Sequence, residues 1–135
     1  MFNPVRYDSG RMTTKELGAS QTVVKGDALK WTSGYLVVVT TGSYQDARYV
    51  ALEDVTSGAG EHPEIQVVPT DEDIQFEADC NIAVSIVDRG TYADFASKST
   101  LDPDASSYND FYITDIVGVA ETATKVLGHF TRTIA

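Results

Sequence analysis

The stretch Tyr35-Leu36-Val37-Val38-Val39-Thr40-Thr41 decides the fold. Successive side chains of an extended chain point to opposite sides, so Tyr35, Val37 and Val39 share one face and Leu36 and Val38 the other. Apolar residues on both faces mark a strand that is covered on both sides. β-branched side chains are stiff at χ1 and suit a pleated surface better than a helix. Ser33-Gly34 before the stretch and Gly42-Ser43 after it are turn signals that bound it.

Working outward, the same alternation of short apolar runs and turns continues in both directions. Upstream, Thr22–Lys25 stops at Gly26-Asp27, and Ala28–Trp31 stops at Ser33-Gly34. Downstream come strands at Ala47–Glu53, Glu64–Val68 and Ile74–Glu77, with a loop at 56–63 and a tight acidic turn at Pro69–Asp73. In Asn81–Val87, Ile82, Val84 and Ile86 alternate with Asn81, Ala83 and Ser85, which reads as a strand with one face buried. Residues 96–110 read as a long polar loop, and Phe111–Val119 and Lys125–Arg132 as the last strands. Eight to ten short strands at this spacing predict a mostly β domain over residues 22–135, a small barrel or sandwich.

Composition agrees. The chain has 135 residues, with 15 Val, 7 Ile and 15 Thr against 6 Leu. A domain of this size buries about two-thirds of the surface that its unfolded chain exposes, enough for a real core. Residues 1–21 show no sustained period. Pro4 and Gly10 interrupt them, and isolated apolar groups (Phe2, Val5, Tyr7, Met12, Leu17) stand among charges. They read as an extended N-terminal arm, because a disordered tail seldom carries so many large apolar side chains.

Net charge is −10, unevenly spread. Residues 1–30 carry a balance of +2, from Arg6, Arg11, Lys15, Lys25 and Lys30 against Asp8, Glu16 and Asp27; the other 105 residues carry −12. Such a body is repelled by nucleic acid and by anionic lipid, so neither is expected as a partner. No segment approaches the roughly 18 apolar residues that a membrane span needs. No N-terminal run resembles a signal peptide, and the residue types fit a reducing, cytosolic origin. Cys80 is the single cysteine, which excludes an intrachain disulfide and reads as a small buried hydrophobe.

The residues offer little for catalysis. A nucleophile needs a base and an orienting group within hydrogen-bond reach. The two histidines, His62 in a Gly/Pro loop and His129 on the last strand, are far apart in sequence. On that strand His129 shares a face with Lys125 and Leu127, opposite Val126 and Phe130, as an outer-face residue does. The acidic run Asp71-Glu72-Asp73 reads as a solvated turn. Residues 102–110 place oxygen ligands at alternate positions like the start of a calcium loop. Ser107 stands where that loop needs its glycine, though, and Ile113 where it needs its bidentate glutamate. No Walker lysine pattern or G-x-G-x-x-G occurs. The expectation is a protein that is not an enzyme and holds no metal or cofactor.

The order of segments resembles that of phage head decoration (cement) proteins. The resemblance rests on Val24-Lys25-Gly26-Asp27-Ala28-Leu29-Lys30-Trp31, then Gly34–Val39, then Glu64-Ile65-Gln66-Val67-Val68-Pro69 leading into Ile74–Asp79. It closes on Phe111–Gly118 and a final strand ending Gly128-His129-Phe130. One departure is that Cys80-Asn81 and Asp88-Arg89 stand where such proteins often have a second Gly-Asp pair. The resemblance implies a β-barrel or β-tulip domain, commonly trimeric, seated at three-fold or quasi-three-fold positions. There it bridges neighbouring major capsid protein subunits on the outer surface of the virion, after synthesis in the bacterial host cytoplasm. Capsid contact is then expected from the arm, through Phe2, Pro4, Val5, Arg6, Tyr7, Arg11 and Met12. Two other readings stay open. One is a head-fibre or tail β-module. The other is a carbohydrate-binding β-sandwich whose stacking platforms come from Trp31, Tyr35, Tyr44 and Tyr49.

Overall fold

Turn chemistry sets the first hairpin. Ser33 and Gly34 both take positive φ, 50° and 87°. Two such residues form the tight turn whose twist matches that of paired strands, and glycine adopts it at little cost. The turn pairs Ala28–Thr32 with Tyr35–Val38, placing Trp31 opposite Leu36 and Thr32 opposite Tyr35.

The computed structural model describes residues 1–131 of the chain. Thirteen strands run through the described residues. They are β1 (Phe2–Arg6), β2 (Thr13–Glu16), β3 (Thr22–Val23), β4 (Ala28–Thr32), β5 (Tyr35–Val38), β6 (Tyr49–Ala51) and β7 (Val55–Thr56). Then follow β8 (Glu64–Pro69), β9 (Gln75–Cys80), β10 (Tyr92–Ser97), β11 (Thr100–Asp102), β12 (Phe111–Ile116) and β13 (Lys125–Phe130). The fold is mostly β, as expected. The C-terminal half is a closed five-stranded barrel in the order β9-β11-β10-β12-β13, shut by pairing of β13 with β9. The other half is a five-stranded sheet, β2-β8-β6-β4-β5. A parallel bridge between Leu17 and Leu36 draws its two edges together, and the β3–β7 ribbon stands beside it.

Two cores result, and they differ in kind. All five phenylalanines (Phe2, Phe76, Phe95, Phe111 and Phe130) pack in the barrel core. Phe130 is within 5.8 Å, centroid to centroid, of each of the other four, mostly edge-on. Such tilted and edge-to-face pairs add to simple area burial. The sheet core is aliphatic: Leu17, Val23, Leu29, Leu36, Ala51, Ile65 and Val67. Ala28, Val39, Val50 and Val68 belong to the barrel core instead, so the sheet is covered on both faces. This bears out the two-faced reading of the Tyr35 stretch: Leu36 sits in one core and Val39 in the other.

Alternation is plain in β13, where Val126, Gly128 and Phe130 are buried while Lys125 is exposed. His129 and Leu127 fall on the outer side with Lys125, as expected. A Cβ on Gly128 would collide with the Tyr112 carbonyl oxygen and with the Phe111 ring, so the close approach of β12 to β13 requires glycine. Arg132, the expected end of this strand, lies outside the described residues.

Three expectations are corrected. Asn81–Val87 is not a strand: it is turn and irregular chain running into a 3-10 turn at Ile86–Asp88. Only Val84 of its alternating apolar residues is buried, while Ile82 and Ile86 are exposed. A local cap and a tertiary bond replace the ladder here: the Asp88 carboxylate accepts the Ser85 N–H at 2.8 Å, and the Val84 N–H donates to Ala123 O at 2.9 Å. Residues 96–110 are not one loop, for they contain the end of β10 and all of β11. Residues 1–21 are not an arm apart from the domain. β1 pairs with β9 in the barrel, β2 pairs with β8 in the sheet, and Leu17 is fully buried.

Candidate functional site

The N-terminal segment was the expected contact surface, and the structure divides its residues. Phe2 is 1% exposed and packs on Phe95 and Phe130 at centroid distances of 5.1 and 5.0 Å. It is a core residue and is not available to a partner, which corrects its place among the contact residues. Pro4 is half-buried on β1, opposite Phe76. The neighbouring Phe2 N–H points away from β9, to Gly26 O at 3.1 Å. Residues two apart share a direction, so Pro4 lacks its N–H on that outer edge, where proline is tolerated. Val5 is 44% exposed and Arg6 is exposed.

The chain then turns. Asp8 accepts the Gly10 N–H at 2.9 Å, and a 3-10 turn at Ser9–Arg11 carries the chain from the barrel edge to the sheet. Tyr7 packs partly against the barrel core, and its hydroxyl reaches Met12 Sδ at 3.5 Å. Met12 is 41% exposed. Arg11 is committed elsewhere: its guanidinium forks onto Asp71 and Asp73. The acidic turn is therefore clamped to the N-terminal segment by a two-pronged pair, a geometry suited to arginine. Of the seven expected contact residues, Val5, Arg6 and Met12 remain well exposed.

A second feature lies beside the first hairpin. Thr14, Lys15 and Glu16 of β2, Trp31 of β4, Tyr35 of β5 and Glu64 of β8 line an open cleft of about 480 Å³. Trp31 is 43% exposed, and its ring stands perpendicular to Tyr49 at 5.6 Å. Tyr35 stacks face to face on His62, with centroids 3.8 Å apart and planes 8° apart. His62 in turn is held through Nδ1 by the Leu17 carbonyl at 3.1 Å. The sequence placed His62 in a loop, correctly, but the stack on Tyr35 is a tertiary contact that no local pattern announces. Of the four aromatics considered as stacking platforms, Trp31 and Tyr35 both line this cleft, from opposite faces of the hairpin, and Tyr49 buttresses Trp31. Tyr44 is elsewhere, packed against Phe95.

A smaller cavity of about 310 Å³ lies between Tyr44, Gln45, Phe95, Tyr108 and the buried carboxylates of Asp94 and Asp110. Its acids serve the fold. Asp94 accepts the N–H groups of Ser107, Tyr108 and Asn109 at 2.8–2.9 Å, pinning the 103–110 loop to the barrel. Asp110 accepts the Phe95 N–H at 3.1 Å. Burial raises the Asp110 pKa above the usual carboxylate value, and the neighbouring Asp94 charge adds to this, against the lowering effect of the Phe95 N–H. Asp102, first in the calcium-like run, accepts the N–H of its own Asp104. Among the described residues, no group of three or more His, Cys, Asp or Glu side chains is placed to hold a metal ion.

Cys80 is buried at the end of β9. Burial, then the charges of Asp79, Asp88 and Asp102, pushes its pKa up to about 12, so the thiol is not a nucleophile at neutral pH. His62 and His129 sit in different halves of the molecule, His62 on the sheet side and His129 on the outer face of the barrel beside Tyr112. Compared with protein-family models and with curated proteins, the chain matches none.

Proposed function

We propose that the chain is a structural virion protein that decorates the outside of a phage head, bridging major capsid protein subunits, as a trimer at three-fold or quasi-three-fold positions. The observation that carries this reading is the N-terminal segment. Anchored at Phe2 and Leu17 and clamped by Arg11, it crosses from barrel to sheet while leaving Val5, Arg6 and Met12 on the surface. A rigid attachment strip of this kind loses little conformational freedom on docking. The acidic remainder of the chain, residues 22–135 with a balance of −11, then faces solvent. A decoration protein acts by binding the mature shell and not its precursor, so many modest contacts add up and no reaction centre is needed.

The test is an image reconstruction of the parent particle with and without the protein. The reading expects extra density at three-fold or quasi-three-fold positions on the outer shell, with Val5, Arg6 and Met12 turned inward. Density on a tail or fibre, or none on the head, overturns it.

A further inference from the structure

We infer that the cleft beside Trp31 is a binding site for a neutral saccharide. The chemistry of its walls carries this, independently of where the protein sits on a particle. Trp31, 43% exposed, offers a flat apolar ring to solvent. The C–H face of a sugar ring packs on such a surface. Both aromatics are held before any ligand arrives, Trp31 by the perpendicular ring of Tyr49 and Tyr35 by its stack on His62. Rings already fixed spare the ligand the entropy of ordering them.

The polar lining supplies both kinds of hydrogen-bond partner that hydroxyl groups require. Glu16 and Glu64, paired across β2 and β8, offer acceptors on one side of the cleft, and Lys15, on the other face of β2, offers a donor on the opposite side. With two carboxylates against one ammonium, the lining is net negative, which disfavours an anionic ligand, and its mixed acceptors and donors suit a polyol. A volume of about 480 Å³ accommodates one or two sugar rings. Strand addition by a peptide is disfavoured, because the Gly18 N–H already reaches Leu36 O at 2.7 Å and ties the end of β2 to β5.

Trp31 is the only tryptophan, so its emission reports on the cleft directly. The full chain is titrated with methyl glucoside, methyl mannoside, maltose, cellobiose and diacetylchitobiose. A saturable change with at least one of them, unaltered by added sodium chloride, is expected. Calorimetry with the same sugar should then show loss of binding in Trp31→Ala and about a tenfold weakening in Glu64→Ala, the effect of removing one charge-assisted hydrogen bond. Both side chains are solvent-facing, so far-UV circular dichroism should stay unchanged. No saturable response to any of the sugars overturns the inference, as does undiminished binding in Trp31→Ala or a response that salt abolishes.

Discussion

The two halves of the molecule solve the same packing problem with different side chains. The barrel closes around five phenylalanines, while the sheet closes around leucines, valines and isoleucine. Large rings fill a small barrel with few residues, so its strands can otherwise be polar and short. β11 contributes only Leu101 to the core. The aliphatic half needs an apolar residue at nearly every inward position, and its strands are correspondingly easy to recognise in sequence.

The N-terminal segment joins the halves, and the largest predicted effect tests that role. Phe2→Ala should destabilise the protein by about 3–5 kcal/mol, as core Phe truncations do. Chemical denaturation checks it, and a loss below about 1 kcal/mol would mean that the segment is the peripheral arm its sequence suggested. Truncating residues 1–12 should unfold the barrel for the same reason, so it cannot serve as a test of attachment.

Next in size is a buried polar tie between the halves. Asp27, 2% exposed, sits in the turn before β4. It accepts the Val24 N–H at 3.0 Å and pairs with Lys98 Nζ at 3.1 Å, in the turn between β10 and β11. Removing it leaves a backbone donor without its acceptor and an ammonium without its partner. Asp27→Ala should cost about 2–3 kcal/mol; Lys98→Met leaves the buried carboxylate without its cation but keeps its bond to the Val24 N–H, and should cost less. Equal effects on thermal unfolding would break this ranking.

The smallest effect concerns Asp110. Its pKa is raised in the folded state, so the fold favours the protonated form. The stabilisation that comes from protonation is fully present below the unfolded pKa and is lost as pH rises through the folded one. At pH 7 the ionised carboxyl is therefore a mild burden. Asp110→Asn keeps an acceptor for the Phe95 N–H and should match or slightly exceed the wild type in melting temperature at pH 7. That advantage should disappear on acidification. A clear loss at pH 7 would show that the charge itself is needed.

How much was legible follows from the same contrast. β4, β5 and β8 were readable because short β-branched and apolar stretches, continuous in β5 and punctuated by Ser33-Gly34 and by Pro69 at the end of β8, leave little choice of structure. β10 and β11 were not. Tyr92–Ser97 buries Asp94, a residue that marks loops, and its carboxylate is satisfied by three N–H groups that only the folded 103–110 loop supplies. Phe2 reads as a terminal residue because all its partners are distant in sequence. In the Trp31 cleft, the nearness of the Trp31 and Tyr35 backbones follows from a two-residue hairpin and was within reach. Lys15 and Glu64 arrive through the β2–β8 pairing, which no local pattern encodes.

The proposed attachment strip can be tested without altering either core. Val5→Asp, Arg6→Glu and Met12→Asp combined change only exposed positions. Purified protein is mixed with expanded heads of the parent phage stripped of it, and the bound fraction is read after sedimentation. The wild type should co-sediment to saturation, and the triple variant, with unchanged circular dichroism, should stay in the supernatant. A variant that binds the heads as well as the wild type would contradict the assignment of this strip as the surface that meets the capsid.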